Sequence, residues 1–257
     1  MTARNKIIAM SIKYSGNWTK IYNAICRREI VEDVYCKQAE SLTCGTITLL
    51  DADYPEHLKH VKDPPIVLYY YGDKSLLENY QTNISVVGSR DHSDYGKKMT
   101  EEIVGELSRR GHTIVSGLAI GIDSIAHNEA INNGGKTIAV LPGGIDYCYP
   151  PSHKNLYELI KKEHLLISEI PGGTAPEPFS FPVRNRIIAG LSKTLLVTEA
   201  HPMSGTTTTV LLALEGDSEV MCVPYPAGEN SECNRLIMNG AYLVENADDV
   251  EDQMAKY

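Results

Sequence analysis

The stretch 88–96 reads GSRDHSDYG and places a glycine, a hydroxyl and a guanidinium directly behind an apolar run. Glycine lets backbone N–H groups approach a ligand with no Cβ in the way. Serine adds a hydroxyl donor, and arginine adds a forked donor that stays charged. Gly88, Ser89 and Arg90 thus have the composition of a phosphate grip, with Ser93 further along the same loop. Three more loops are glycine-rich or unusually polar: SGLAIGID (116–123), PGGIDYCYPPSHKNL (142–156) and EAHPMSGTTTT (199–209). A fifth stretch, PFSFPVRNRIIAGLS (178–192), carries Arg184 and Arg186 on either side of Asn185. A helix that starts behind such a loop presents unpaired N–H groups and a partial positive charge, which together make an anion site. Any one of these loops alone also fits a tight turn with a helix cap. Several in one sheet point to a phosphate-bearing ligand.

Two positions apart on a helix, Arg184 and Arg186 point about 200° from one another. One is therefore expected to contact ligand and the other to form a structural ion pair. Asp123 and Ser124 are expected to cap the helix behind 116–121, and His127 to lie on its surface or cap it. AINNGGKT (130–137) imitates a phosphate-binding P-loop, but Ala130 stands where that motif needs glycine, and Lys136 precedes a strand instead of opening a helix. There is no G-x-G-x-x-G behind the first core strand, no H-E-x-x-H and no G-x-S-x-G. The eight histidines do not cluster at metal-ligand spacing, and the six cysteines form no C-x-x-C pair, so they read as isolated thiols. No catalytic constellation, metal or cofactor is expected.

The elements that must position these loops follow from hydrophobic rhythm. From Gln81 onward short apolar runs alternate with helical stretches. Strands are expected near 84–87, 113–115, 137–141, 165–168, 195–198, 219–223 and 241–244, with helices in most gaps. That alternation predicts an α/β fold, an extended Rossmann-like, mostly parallel sheet with helices on both faces, whose ligands sit beyond the carboxyl ends of the strands. Upstream, 46–50 and IVLYYYG (66–72) read as lead-in strands, and residues 1–44 as helical. The expected division is a helical region (1–45), a lead-in (46–80) and a Rossmann-like core with an acidic tail (81–257).

The 257 residues suffice for a sizeable core. No apolar run approaches membrane-span length and the N-terminus lacks a signal-peptide core, so a cytoplasmic protein is expected. The net charge of −9 opposes a polyanionic partner overall. Four of those nine charges, however, come from the tail ENADDVEDQMAKY, and a local patch rather than the total decides binding.

GSRDHSDYG, VSGLAIGID, LPGGIDYCYPPSH, FPVRNRIIAGLS and NRLIMNGA, in this order, resemble the DprA/Smf family of DNA-processing proteins of natural transformation. DADYPEHLKHVKDPPIVLYYYGD resembles its lead-in, so the resemblance covers roughly 46–245. It implies a homodimer, joined around 221–237, that binds single-stranded DNA and loads the RecA recombinase onto it, with no chemistry of its own. By motif, Gly88, Ser89 and Arg90 would hold a DNA phosphate. Ser116, Gly117, Gly121 and Asp123 would shape the neighbouring loop, Arg184, Asn185 and Arg186 would line or brace the pocket, and Lys154 would add a phosphate contact. The candidate DNA phosphate-binding set is therefore Gly88, Ser89, Arg90, Ser93, Ser116, Gly117, Gly121, Lys154, Arg184, Asn185 and Arg186.

Departures from the family pattern are SGTTTTV (204–210) where the family reads SGSLITA, and VPYPAGE (223–229) where it reads VPG. The chain ends soon after the core, so no C-terminal winged-helix domain is expected. Two rival readings are an enzyme acting on a nucleotide or phosphoribosyl compound, related to the lysine-decarboxylase-like phosphoribohydrolases, and a nucleotide-sensing module. The hallmark PGGxGTxxE of the former does not fit Ile145-Asp146-Tyr147.

Overall fold

The computed structural model describes residues 2–202, 204–229 and 231–256. Three helices open the chain: α1 (Ala3–Lys13), α2 (Trp18–Cys26) and α3 (Asp33–Glu40). The continuous helical stretch read for 1–44 is thus broken twice. Left-handed Ser15 and Gly16 turn the chain between α1 and α2, and left-handed Arg28 ends α2. Gly16 sits so close to the Glu169–Ile170 backbone that a Cβ would not fit. Asn17 then restarts the helix by accepting from the Lys20 N–H.

The sheet is built from β1 (Gly45–Thr48), β2 (Val67–Gly72), β3 (Asn83–Gly88), β4 (Thr113–Ser116), β5 (Lys136–Val140), β6 (Leu165–Ser168), β7 (Thr194–Glu199), β8 (Glu219–Cys222) and β9 (Tyr242–Leu243). Their spatial order is β1-β2-β6-β5-β4-β3-β7-β8-β9. Pairings from β6 through β9 are parallel, and β2 alone runs against its neighbours. The helices between are α4 (Asp94–Arg109), α5 (Ile122–Asn132), α6 (Lys154–Glu163), α7 (Ser180–Gly190), α8 (Gly205–Glu215), α9 (Glu232–Met238) and α10 (Ala247–Met254). This is the Rossmann-like sheet the rhythm predicts.

Side chains alternate across β3, so the strand feeds two cores. Ile84 and Val86 pack with Ile103 and Leu107 of α4, Ala126 of α5 and Val250 of α10. Val87 packs on the opposite face with Ile187 and Ile188 of α7 and Val210 and Ala213 of α8. A third cluster joins Ile8 and Met10 of α1 and Ile21 of α2 to Tyr69, Leu166 and Ile160. The chain winds outward from β3 through β4, β5 and β6, then returns to place β7 on the other side of β3. Strand order therefore reverses at β3, and a crevice opens beyond the carboxyl ends of β3 and β7.

Candidate nucleic-acid interface

A cavity of about 520 Å³ occupies that crevice. Gly88, Ser89 and Arg90 from the end of β3 form one wall, Arg184 and Asn185 of α7 another, and residues from Ser204 to Thr209 a third. Gly88 ends β3 at a register irregularity against β7, and a Cβ there would run into the Ile122 side chain. Ser89 is buried. Its N–H donates to Glu199 O (3.0 Å) and its hydroxyl donates to Asp91 O (2.8 Å). Arg90, by contrast, is exposed at the mouth, its guanidinium carbon 5.1 Å from the centre of the Phe181 ring.

The loop behind β4 supports this wall. The Ser116 hydroxyl is fully buried and donates to Val86 O (2.7 Å). Gly117 has no room for a Cβ because the Arg184 guanidinium lies on it, and Gly117 O accepts from Arg184 Nη1 (2.6 Å). Gly121 is left-handed (φ 83°), and a Cβ would strike the Ser89 and Arg90 backbone. Ser116, Gly117 and Gly121 thus shape the site from behind without facing the cavity.

Arg184 is buried and lines the cavity. Its Nη1 also donates to Val140 O, its Nε donates to Asn185 Oδ1 (3.1 Å), and its Nη2 has no hydrogen-bond partner among the described residues. Burial pushes its pKa down to about 10, against the attraction of the Asp123 carboxylate. Burial likewise raises the pKa of Asp123, with Arg184 opposing. Arg186 points elsewhere. Its Nη2 donates to both oxygens of buried Glu169 (2.7 Å each), its Nε to Asp63 O (2.9 Å) and its Nη1 to Val183 O (2.8 Å). The two arginines thus face different surroundings: Arg184 lines the cavity, and Arg186 lies outside its lining in an ion pair with Glu169.

Other assignments also change. Lys154 opens α6 away from the cavity and pairs with Glu158 (2.6 Å). Ser93 is already engaged: its Oγ accepts from Gly96 N–H (3.0 Å), while its own N–H donates to the Glu199 carboxylate (2.9 and 3.1 Å). Asp123 accepts from Ala119 N–H (3.4 Å) and Ser124 donates to Gly121 O (2.9 Å), so neither is the helix cap, a position taken by Gly121. His127 is fully buried, not superficial: its Nε2 accepts from Leu118 N–H (3.3 Å) and its Nδ1 lies 2.6 Å from Thr137 Oγ1. The loop 142–156 does not line the cavity. Gly144, Ile145 and Asp146 donate instead to the backbone at 170–174.

Sequence reasoning missed the aromatic rim. The chain has two phenylalanines, Phe179 and Phe181, and both stand at the start of α7 beside the arginines. Phe179 is 60% exposed, and Phe181 meets Tyr149 edge-on with ring centres 5.6 Å apart. The readable signal was their rarity and their place within PFSF. Among the described residues, no group of three or more His, Cys, Asp or Glu is placed to hold a metal ion. No helix among them is long and apolar enough to cross a membrane.

A switch-point cavity with an exposed arginine, a buried arginine, hydroxyls and an aromatic rim places this chain among Rossmann-like proteins and has the chemistry that suits an anionic ligand carrying planar groups. Residues 45–255 match the family model of DNA recombination-mediator protein A, and the chain belongs to that family. It is 43% identical over 198 residues to protein Smf of Synechocystis, which covers 76% of this chain and 50% of that protein. It is 42% identical over 207 residues to the DNA processing protein DprA of Streptococcus pneumoniae, covering 80% of this chain and 72% of that one. The chain thus spans half the length of the Synechocystis relative. The X-ray structure of DprA from Streptococcus pneumoniae superimposes with a TM-score of 0.82 at 34% identity, covering 96% of this chain and 92% of that chain. A structure of DprA from Helicobacter pylori, reported for its single-stranded DNA binding mode, does so at 0.75 with 29% identity, covering 84% and 97%.

Proposed function

We propose that the chain binds single-stranded DNA at this cavity and acts as a recombination mediator that loads a RecA-class recombinase onto the bound strand. The observation that carries the reading is Arg90, exposed at the cavity mouth and stacked on Phe181. It offers a guanidinium to a phosphate while Phe181, Tyr149 and Phe179 offer ring faces to unstacked bases. A duplex keeps its bases paired inside and has no use for such a rim. Family membership and the likeness to the Helicobacter pylori protein, reported for single-stranded DNA binding, support the reading. The protein's role is binding and positioning, in the cytoplasm, with no bond made or broken.

The working assembly is a homodimer. One cavity on an acidic chain gives modest affinity for a polyanion, whereas two on one strand make the second contact intramolecular and raise affinity by ~10²-fold or more. The test compares oligo-dT of increasing length with blunt duplex of equal length, alongside light scattering. Preference for the single strand, with affinity rising steeply once it spans two sites, supports the proposal. Equal affinity for duplex overturns the single-strand reading. A monomer with a flat length dependence favours a small nucleotide ligand.

A further inference from the structure

Besides α7, three helices begin around the cavity, and the chain treats their N-termini differently. The N-terminus of α4 is closed by the Glu199 carboxylate, 3% exposed, which accepts from the Ser93 N–H and hydroxyl. The turn into α5 holds Asp123, 7% exposed, within its own first turn. A second anion at either place would meet a buried carboxylate. The N-terminus of α8 has no acidic residue in its first turn, and its N-cap Ser204 makes no side-chain capping bond. In the first turn of this 11-residue helix the Thr207 N–H donates to Ser204 O (3.2 Å), which leaves the Gly205 and Thr206 N–H groups without an intrahelical partner.

A separate observation points to a ligand there. Thr206, in that first turn, is 6% exposed, lines the cavity and makes no side-chain hydrogen bond to the described residues. Thr208 lines the same wall and is exposed, and a Cβ added at Gly205 would meet nothing within 4 Å. The unpartnered Nη2 of Arg184 belongs to the same cavity. The hydroxyl of Ser204, which also lines the cavity, is buried with no hydrogen-bond partner among the described residues, an arrangement that is costly unless a ligand completes it.

We infer that the N-terminus of α8, with Thr206, Thr208 and Arg184, is a second phosphate seat, which takes another phosphodiester of the strand gripped by Arg90. The inference rests on the single-strand reading and deepens it: the cavity engages two phosphates of one strand, on opposite walls. A volume of about 520 Å³ leaves room for more than one such group. The SGTTTTV segment then has a role, since its threonines replace the carboxylates that close α4 and α5.

The test is Gly205→Asp, which supplies the missing first-turn carboxylate, with Gly205→Asn as its neutral counterpart. Position 205 is exposed and open, and an acid in the first turn favours the helix, so Gly205→Asp keeps or raises thermal stability. Oligo-dT affinity should fall about ten-fold or more, and the dependence of log K on log salt should become shallower by ~0.7, one phosphate contact on a single strand. Gly205→Asn should stay within about three-fold of the parent on both counts. Gly205→Asp binding oligo-dT with unchanged affinity and slope overturns the second seat. A parallel titration with inorganic pyrophosphate separates the two readings. If the parent ignores oligo-dT but binds pyrophosphate, and Gly205→Asp abolishes this, the seat stands and the single-strand reading falls. No loss in either titration removes the seat.

Discussion

His127 offers a prediction whose size follows from its surroundings. Thr137 donates its hydroxyl proton to Ile114 O (2.7 Å), so its oxygen accepts from Nδ1–H of His127 (2.6 Å), and Nε2 is left to accept from Leu118 N–H (3.3 Å). A proton on Nε2 would face another N–H. Complete burial pushes the pKa down from 6.5 to about 3, with the positive charges of His153, Arg184 and His164 adding to the effect. A histidine whose folded pKa is depressed is held neutral by the fold, while the unfolded chain takes up the proton. Its contribution is fully present above about pH 6.5 and is lost as pH falls toward 3. At 1.36 kcal/mol per pH unit of differential protonation, the loss between pH 7 and pH 5 is about 2 kcal/mol.

The assay is urea unfolding of the parent and of His127→Gln at pH 7, 6 and 5. Glutamine cannot be protonated, so the parent should lose about 2 kcal/mol more than the variant over this range. The raised pKa values of Asp123 and Glu169 act in the opposite sense, stabilising toward low pH, and they cancel in the comparison along with the depressed His164. At pH 7 the variant should itself be less stable, because Leu118, held at φ 57°, loses its partner. Parallel pH profiles for the two proteins would refute the buried, neutral histidine.

Two further outcomes follow from the same geometry. Phe181→Ala should weaken oligonucleotide binding by about 1–3 kcal/mol, the worth of one stacked base, with the thermal midpoint little changed because the ring is partly exposed; unchanged affinity in anisotropy titrations would remove the stacking platform. Glu169→Gln should cost about 3–5 kcal/mol in chemical denaturation, since it leaves the Arg186 charge buried beside a neutral group. It should leave the salt slope of DNA binding unchanged, and a shallower slope would return Arg186 to the interface.

What could be read from sequence, and what could not, separates by range. The order and type of the core elements were legible because strands and helices differ in hydrophobic period, and each period is local. The Gly88-Ser89-Arg90 turn was legible for the same reason. Three of the misplaced residues depend on partners in other elements of the fold, whereas Lys154 is held by Glu158 one turn along its own helix. Ser93 is claimed by Glu199, 106 positions away, Arg186 by Glu169, and His127 by Thr137 on the neighbouring strand. No local pattern distinguishes an open helix N-terminus from one closed by a distant carboxylate. The aromatic rim escaped notice because nothing local in PFSF tells a buried phenylalanine from an exposed one, and the turn into α7 leaves Phe179 exposed and Phe181 half-buried.

The most direct measurement of the central claim is a salt titration of oligo-dT binding by the parent and by Arg90→Ala. Arg90 is exposed and has no ion pair among the described residues, so its removal should leave the fold intact. The account predicts weaker binding for every sequence alike and a slope shallower by ~0.7, the signature of one lost phosphate contact. A folded Arg90→Ala protein with the parent's affinity and slope would contradict it.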